Sequence, residues 1–145
     1  MDQTANKELA RRYFSLLNAK DLDGAAALTA DDLKNHAAIP EAQGRSGLRR
    51  ILGKVQNAFP DADYRCEDVF ADADKVVCRV SMRGTNTGPI EFLRYPVGAT
   101  NKRCETETIH IFRVAGGKIV EHWAGRDDVG VMRQLGQLPF AEKQS

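Results

Sequence analysis

The stretch that most constrains the fold is Glu105–Gly136, because it contains two runs of β-branched and aromatic residues on either side of a glycine pair. The runs are TIHIFRV and KIVEHW, and Gly116-Gly117 lies between them. Strand-forming runs joined by a two-residue glycine loop predict a β-hairpin. If Ala115 pairs with Lys118, side chains alternate continuously between the two faces of the hairpin. The first face then carries Thr106, Thr108, His110, Phe112, Val114, Ile119, Glu121, Trp123, Gly125 and Asp127. The second face carries Ile109, Ile111, Val120 and Ala124.

The two predicted faces of this hairpin have different characters. The first is apolar with three inset polar side chains, His110, Glu121 and Asp127, which is typical of a ligand pocket wall. The second is apolar with charged edges, which is typical of a surface that packs on a helix or on a partner subunit. The same alternation predicts that His122 points outward, to the surface or to a dimer interface.

Length and composition indicate one globular domain over residues 1–145. With 21 basic and 20 acidic side chains the formal net charge is +1, so neither nucleic acid nor an anionic membrane is an expected partner. The absence of a long apolar run and of a secretory signal pattern predicts a cytoplasmic protein. Three widely spaced cysteines indicate reduced thiols, and the spacing of the three histidines matches no metal site.

The rest of the chain divides into a helical part and an extended part. Three helical patterns come first: Thr4 to about Lys20, Asp21 through the alanine-rich DLDGAAALTA, and Ser46 to Pro60. The extended runs that follow are Tyr64–Phe70, Lys75–Arg83 and Thr100–Val114. A last helix is predicted from about Asp128 to Gly136. Helices followed by antiparallel strands predict an α+β fold, with N-terminal helices packed on a curved, mostly antiparallel sheet. Its concave face would enclose a pocket for a small hydrophobic molecule.

Several segments together resemble one known family: Asn35-His36, AFPDADYRCED at 58–68, DKVVCRVSMRGTNTG at 74–88 and HIFRVAGGKIVEHWAGRDDVGVMRQLG at 110–136. They resemble the SnoaL-like polyketide cyclases and ester cyclases, within the group of folds similar to nuclear transport factor 2 (NTF2-like). The resemblance implies a cone-shaped α+β barrel, a homodimer formed through the outer sheet face, and no metal or organic cofactor. It also implies acid/base cyclisation of a small hydrophobic carbonyl compound in the cone.

The resemblance also suggests which residues act. An aspartate on the last strand of such cyclases serves as general acid/base, and by motif it corresponds to Asp127; a histidine on the preceding strand corresponds to His110. Family members often have THTG where this sequence has TNTG, so Asn86 stands in place of a histidine. The same fold also serves dehydratases, isomerases and epoxide hydrolases. The alternatives are therefore a small-molecule-binding protein without catalysis, or a dehydratase, isomerase or epoxide hydrolase on the same fold.

Each candidate has a structural alternative. A desolvated Asp127 would have a raised pKa suited to proton transfer, but aspartate is also favoured as the N-cap of a following helix. His110 and Asp127 are roughly 13 Å apart along the predicted face, too far for a direct pair. Glu121, inward in this register, would need a partner such as Arg12. The remaining candidates for substrate contact, each of which could instead be a core or loop residue, are Asn35, His36, Tyr13, Phe92, Phe112 and Trp123, with Trp123 as the pocket floor.

Overall fold

The computed structural model describes residues 2–93 and 96–137 of the chain. The helices are α1 (Gln3–Asn18), α2 (Leu22–Ala27), α3 (Gly44–Ala58) and α4 (Asp128–Gln134), with a 3-10 turn at Pro40–Ala42. The strands are β1 (Thr29–Asn35), β2 (Asp63–Asp72), β3 (Lys75–Thr85), β4 (Arg103–Ala115) and β5 (Lys118–Gly125). The predicted excursion at 89–99 includes positions 94–95, which lie outside the described residues.

The five strands form one sheet in the order β1-β5-β4-β3-β2. Strands β2 to β5 pair antiparallel with their chain neighbours, and β1 pairs parallel with β5. The helix α1 packs against β2, and α3 packs against β1. The predicted α+β fold with a mostly antiparallel sheet is therefore confirmed. No helix within the described ranges is long and apolar enough to cross a membrane.

Local chemistry moves some helix boundaries from their predicted positions. Asp2, rather than Thr4, caps α1 by accepting the Ala5 N–H at 3.1 Å. Asp21, at which the second predicted helical pattern begins, caps α2 by accepting the Gly24 N–H at 2.9 Å. At α1 and α2 the helix begins where a side chain satisfies its free N–H groups, so the position of the acceptor sets the boundary.

The hairpin of β2 and β3 is longer than the sequence pattern indicated. Pairing continues to Asp72 opposite Lys75, so only Ala73 and Asp74 form the turn. Ala73 adopts a φ of 52°, the left-handed conformation that tight two-residue turns require. The pairing of the sheet therefore extends through Ala71 and Asp72, two residues beyond the predicted end of the strand at Phe70.

The register of the β4–β5 hairpin changes at a β-bulge. The predicted pairs Ala115 with Lys118 and Val114 with Ile119 are confirmed, but the next pair is Arg113 with Glu121, so Val120 is an extra residue. Beyond the bulge the pairs are Phe112 with His122, Ile111 with Trp123, His110 with Ala124 and Ile109 with Gly125. The predicted pairs of Phe112 with Glu121 and of His110 with Trp123 are wrong, because one extra residue reverses the alternation beyond it.

The bulge exchanges which side chains of β5 face the helices. His122 and Ala124 lie on the inner face with Phe112 and His110, whereas Glu121 and Trp123 lie on the outer face. The prediction that His122 points outward is wrong, because this residue is only 7% exposed. Glu121 pairs on the outer face with Arg113 at 2.9 Å rather than with a helix arginine. The bulge thus keeps a carboxylate out of the core, where its desolvation would be costly.

Two hydrophobic clusters fill the inner side of the sheet. The first joins α1 and α3 to the middle of the sheet, with Phe14, Leu48 and Phe112 among its members. The second lies towards the other end of the strands and includes Phe59 and Leu135. The inner face of β4 between the two clusters carries polar, half-buried side chains: Thr106, Thr108 and His110.

Candidate functional site

Four polar side chains on the inner face form a continuous chain of hydrogen bonds. Asn35 Oδ1 lies 3.0 Å from His122 Nδ1, and His122 Nε2 lies 2.9 Å from His110 Nδ1. His110 Nε2 in turn lies 2.9 Å from the hydroxyl oxygen of Thr108. The chain therefore crosses three strands, from the buried end of β1 through β5 to the half-buried part of β4.

The direction of these hydrogen bonds follows from the first acceptor. Asn35 Oδ1 also accepts the backbone N–H of Ala37 at 3.1 Å, which identifies this atom as the oxygen of the amide. His122 must therefore donate from Nδ1, and in a neutral ring its Nε2 then has a free lone pair. His110 donates its Nδ1–H to that lone pair, which leaves its own Nε2 as the acceptor of the Thr108 hydroxyl proton.

Both imidazole rings are held neutral at pH 7. Burial is the main reason that the pKa of His110 falls to about 4, and the positive charge of Arg126 lowers it further. Burial also lowers the pKa of His122 well below its usual value, with smaller electrostatic contributions from His110, Arg126 and His36. The neutral chain has one unprotonated nitrogen at its half-buried end, Nε2 of His110.

The backbone around Asn35 holds the buried end of the chain in place. Gln43 accepts the Asn35 backbone N–H with Oε1 at 2.8 Å and donates from Nε2 to the Asn35 carbonyl at 2.8 Å. The backbone N–H of His36 also donates to the His122 carbonyl at 2.8 Å. These bonds fix the position of the Asn35 side chain relative to β5, so the orientation of the His122 ring is set by the fold.

Aromatic rings enclose the two histidines. The His110 and His122 rings stack with centroids 5.2 Å apart, and Phe112 stacks on His122 at 4.9 Å. Phe14 of α1 contacts His110 edge-on at 5.1 Å. Because these apolar neighbours exclude water, a proton added to either ring is poorly solvated. The packing and the lowered pKa values therefore have one origin.

Asp127 does not join this chain. Its Oδ1 accepts the Gly130 N–H at 2.9 Å, so the side chain caps α4, and the residue is exposed. The same Asp-x-x-Gly spacing occurs at Asp21 and Gly24, where the aspartate caps α2. At both places a Cβ on the glycine would overlap the carboxylate, so glycine makes room for the cap. Of the two interpretations of Asp127, the structure shows the cap, and its catalytic role stays a prediction.

The sequence model of the SnoaL-like polyketide cyclases matches residues 7–135. The chain belongs to this family. A curated relative, the aklanonic acid methyl ester cyclase DauD of Streptomyces sp. (strain C5), is 25% identical over 134 residues, covering 90% of this chain and 81% of DauD.

Solved structures show the same fold. TsrD from Streptomyces laurentii has a TM-score of 0.84 at 24% identity, covering 95% of this chain and 99% of TsrD. IdmH from Streptomyces antibioticus has a TM-score of 0.74 at 28% identity, covering 90% of this chain and 98% of IdmH. The cone-shaped NTF2-like fold that the resemblance implied is therefore confirmed.

Within this SnoaL-like fold, the aromatic candidates occupy three different places. Tyr13 and Phe112 are buried in the first hydrophobic cluster, with ring centroids 5.4 Å apart. Phe92 packs, partly buried, against the second cluster. Trp123 lies on the outer face, where His36 stacks on it at 4.9 Å, so its predicted place as an inward pocket floor is wrong. His36 likewise lies outside the cone and contacts Glu121 Oε2 through Nε2 at 2.6 Å.

The residue that departs from the family pattern, Asn86, has a structural role. It is fully buried, and its Oδ1 accepts the backbone N–H and the hydroxyl of Thr100 at 2.9 and 2.8 Å. Its Nδ2 donates to the Gly88 carbonyl at 2.7 Å. The amide therefore ties the segment after β3 to the segment before β4, a task that needs both a donor and an acceptor group.

Two cavities lie away from the histidine chain. One of about 10 Å³, large enough for about one water molecule, is lined by Leu17, Lys20, Leu22, Leu52, Gln56, Phe59, Ala62 and Tyr64. The other is an open groove of about 310 Å³ lined by Asp32, Lys34, Arg113, Ala115 and Val120. Neither includes His110 or Asp127, so the enclosed pocket expected beside these residues is not one of these two.

The sequence-based interpretation missed His122 and Thr108 as members of the site. Thr108 lies beside His110 on the face that the sequence predicted, whereas His122 follows only from the shifted register of β5. A signal for that shift was present, because a continuous alternation forces the Glu121 carboxylate into an apolar face. A bulge between the Gly-Gly turn and Glu121 removes that conflict. An inward carboxylate without a partner was therefore evidence for a shifted register.

Proposed function

We propose that this SnoaL-like protein is a cofactor-independent cyclase for a small hydrophobic carbonyl compound, with His110 Nε2 as the proton acceptor. The observation that supports it is the directed chain from Asn35 through His122 to His110. A catalytic base needs a lone pair at a defined position and a second group that fixes its tautomer. His122 supplies the second group, and Asn35 orients His122 in turn. Asn35, predicted as a substrate contact, becomes a positioning residue.

The reaction would proceed by transfer of one proton in each direction. His110 Nε2 takes a proton from the carbon beside a carbonyl, which leaves an enolate and a protonated imidazole. The enolate carbon attacks a second carbonyl of the same molecule, forming a C–C bond as the C=O π bond breaks. The new alkoxide takes the proton back from His110 Nε2. Substrate and product are isomers, and the ring is neutral again at the end.

Thr108 would control access to the reactive nitrogen. Its hydroxyl donates to His110 Nε2 at 2.9 Å and also lies 3.4 Å from the carbonyl oxygen of Val80. Rotation of the hydroxyl proton towards Val80 frees the lone pair without moving a heavy atom. Thr108 therefore keeps the nitrogen hydrogen-bonded when substrate is absent, which lowers the cost of burying it.

A second candidate is a protein that binds the same class of molecule without turning it over. The capping role of Asp127 favours it, because the aspartate that the family resemblance assigns to acid/base catalysis is engaged elsewhere. The same chain of histidines would then serve to bind a carbonyl or hydroxyl group of the ligand.

The test uses the compound named in the relative's activity, aklanonic acid methyl ester, together with its free acid. Purified wild-type protein and the His110→Gln and His122→Gln variants are incubated with each, and an isomeric product is sought by chromatography and NMR. We expect product from the wild type, a loss of about 100-fold or more in His110→Gln, and a smaller loss in His122→Gln. Turnover that survives in His110→Gln would remove the assignment, and binding without turnover in the wild type supports the second candidate.

We also propose that the protein is a cytoplasmic homodimer formed through the outer sheet face. An apolar row crosses that face at one level of the strands, formed by Phe70, Val77, Ile111 and Trp123. Phe70 is 63% exposed and neighbouring Ile109 is 42% exposed, which an isolated chain leaves in contact with water. Sedimentation of the wild type and of Phe70→Glu tests this: a dimer that becomes a monomer is expected, and a monomeric wild type contradicts it.

A further inference from the structure

The outer face of the sheet is built in rows, each of which takes one outward residue from successive strands. The apolar row described above runs from Phe70 on β2 to Trp123 on β5. A charged row lies beside it, towards the hairpin turns. Because neighbouring strands are about 4.8 Å apart, the ends of this charged row lie about 10 Å on either side of β4, the central strand. From β2 to β1 the charged row consists of Asp72, Lys75, Arg113, Glu121 and Lys34.

The two ends of the charged row carry opposite charges. Lys34 and Asp72 are exposed, and within residues 2–93 and 96–137 neither side chain forms an ion pair. In the middle of the row, Arg113 pairs with Glu121 at 2.9 Å. Lys34 and Asp72 lie on opposite edge strands, about 19 Å apart, so they cannot pair within one chain. A second copy of the chain carries both charges at matching distances from β4.

We propose that the two-fold axis of the homodimer runs along β4, so that Lys34 of each protomer pairs with Asp72 of the partner subunit. This inference rests on the homodimer proposed above and adds its arrangement. Rotation about β4 exchanges the two ends of every row. Lys75 then faces Glu121 of the partner subunit, which is a second attractive contact in the same row. Arg113 lies on the axis and faces its own copy, and each of the two is already paired with a Glu121 carboxylate.

The apolar row supports the same axis. Phe70, which is 63% exposed, lies at the β2 end of this row. At the opposite end, the ring of His36 stacks on that of Trp123 at 4.9 Å. Rotation about β4 places Phe70 over these two stacked rings of the partner subunit. Three aromatic rings would then leave water together at each end of the interface, where aromatic contacts contribute strongly to association.

The other two-fold arrangement of this face, with its axis along the apolar row, is opposed by charge. That axis would place the charged row against the row on the other side of the apolar one, which contains Asp68 and Arg79. Asp72 would then face Asp68 of the partner subunit, and Lys75 would face Arg79 of the partner subunit. Like charges opposed across an interface reduce affinity. The pattern of charges therefore favours the axis along β4.

The axis along β4 also supplies an occupant for the open groove of about 310 Å³. This groove lies on the β1 side of the outer face, and its charged lining residues are Lys34, Arg113 and Asp32. Rotation about β4 brings the β2–β3 turn of the partner subunit to the same side. The turn is narrow, because only Ala73 and Asp74 form it, and it is acidic. The acidic turn therefore complements a groove in which cations outnumber carboxylates.

A carbodiimide cross-link in the wild-type protein tests this placement directly. The reagent joins an ammonium group to a carboxylate in contact with it and leaves no spacer. Because Lys34 and Asp72 of one chain are too far apart, a link between them identifies two protomers. We expect this link in the dimer fraction, where mass spectrometry of the digested protein detects it. Phe70→Glu, which disrupts the apolar row, should remove the link together with the dimer.

Charge reversal tests whether the pair sets the arrangement. Lys34→Glu and Asp72→Lys should each weaken the homodimer about tenfold, because like charges then oppose each other twice in every dimer. An equimolar mixture of the two variants should regain wild-type association, since the exchanged charges are again opposite in the mixed dimer. The matched control is Lys34→Glu mixed with Glu91→Lys. It has the same net charges, but the exposed Glu91 lies outside the sheet, so association should stay weak.

Sedimentation equilibrium of the single variants and of both mixtures measures these affinities. A monomeric wild type contradicts the homodimer, and the arrangement fails with it. A dimeric wild type without the link between Lys34 and Asp72 overturns the arrangement alone. The same holds if the mixture of Lys34→Glu with Asp72→Lys associates no better than the mixture with Glu91→Lys. The failure of the arrangement and the failure of the homodimer are therefore distinguishable.

Discussion

The two faces of the β4–β5 hairpin use histidine in opposite ways. On the inner face, His122 is buried, bonds to the neutral side chains of Asn35 and His110 and has a lowered pKa. On the outer face, His36 is half exposed and bonds to Glu121, whose pKa is lowered first by the hydrogen bond from His36 and then by that from Arg113. The residue type is the same, but burial and the charge of the partner decide what each ring can do. The inner arrangement keeps an unprotonated ring nitrogen available at pH 7.

The sharpest way to break this comparison is His122→Glu, which places a carboxylate on the inner face. Position 122 lies opposite Phe112 and is 7% exposed, so the carboxylate would be buried beside aromatic rings. We expect a loss of about 4 kcal/mol or more in the free energy of unfolding, or no folded protein, because an unpaired buried carboxylate is strongly destabilising. Urea unfolding monitored by circular dichroism measures the loss. His36→Glu, the same change on the outer face, is the control and should cost about 1 kcal/mol, because its charge stays in water; equal losses in the two variants would contradict the comparison.

A matched pair of phenylalanine substitutions compares the two faces directly. His122→Phe keeps a ring but removes the bonds to Asn35 and His110, so about 2 to 3 kcal/mol of stability should be lost. His36→Phe keeps the stacking on Trp123 and removes one exposed bond, so a change within about 0.5 kcal/mol is expected. Chemical denaturation of both variants beside the wild type checks the difference. Equal losses would show that the inner chain contributes no more than the outer contact.

The pH dependence of stability tests the lowered pKa of the inner face. The pKa of His110 is about 4 in the folded protein, below the value of about 6.5 for an unfolded chain. The unfolded state therefore takes up the proton first as pH falls, and the fold loses stability between pH 6.5 and 4. Because the His110 ring is half-buried, we expect the free energy of unfolding to fall by about 1 to 2 kcal/mol at pH 4.5. His110→Gln should show a shallower acid loss than the wild type in urea unfolding at several pH values. Parallel curves would contradict the low pKa.

The sequence predicted correctly those features that a few neighbouring residues determine, and it failed where one residue changes the register of a whole strand. The Gly-Gly turn, the capping of α2 by Asp21 and the alternation of β3 are local patterns, and all of them are present in the structure. The site depends on one bulge residue, and a single inserted residue changes the face of every side chain beyond it. His110 was predicted correctly on the inner face, because β4 is regular. His122 was predicted on the wrong face, because it follows the bulge in β5.

The last prediction concerns Asp127, for which the family resemblance and the local geometry indicate different roles. Asparagine caps helices about as well as aspartate, so Asp127→Asn should change stability by less than about 0.5 kcal/mol. Asp127→Ala removes the acceptor of the Gly130 N–H and should cost about 1 kcal/mol. If the carboxylate only caps α4, turnover should follow stability and be retained in Asp127→Asn. Steady-state kinetics and thermal unfolding of both variants check this prediction. If Asp127→Asn is fully stable but has lost turnover, the carboxylate is the proton-transfer group and His110 only orients the substrate.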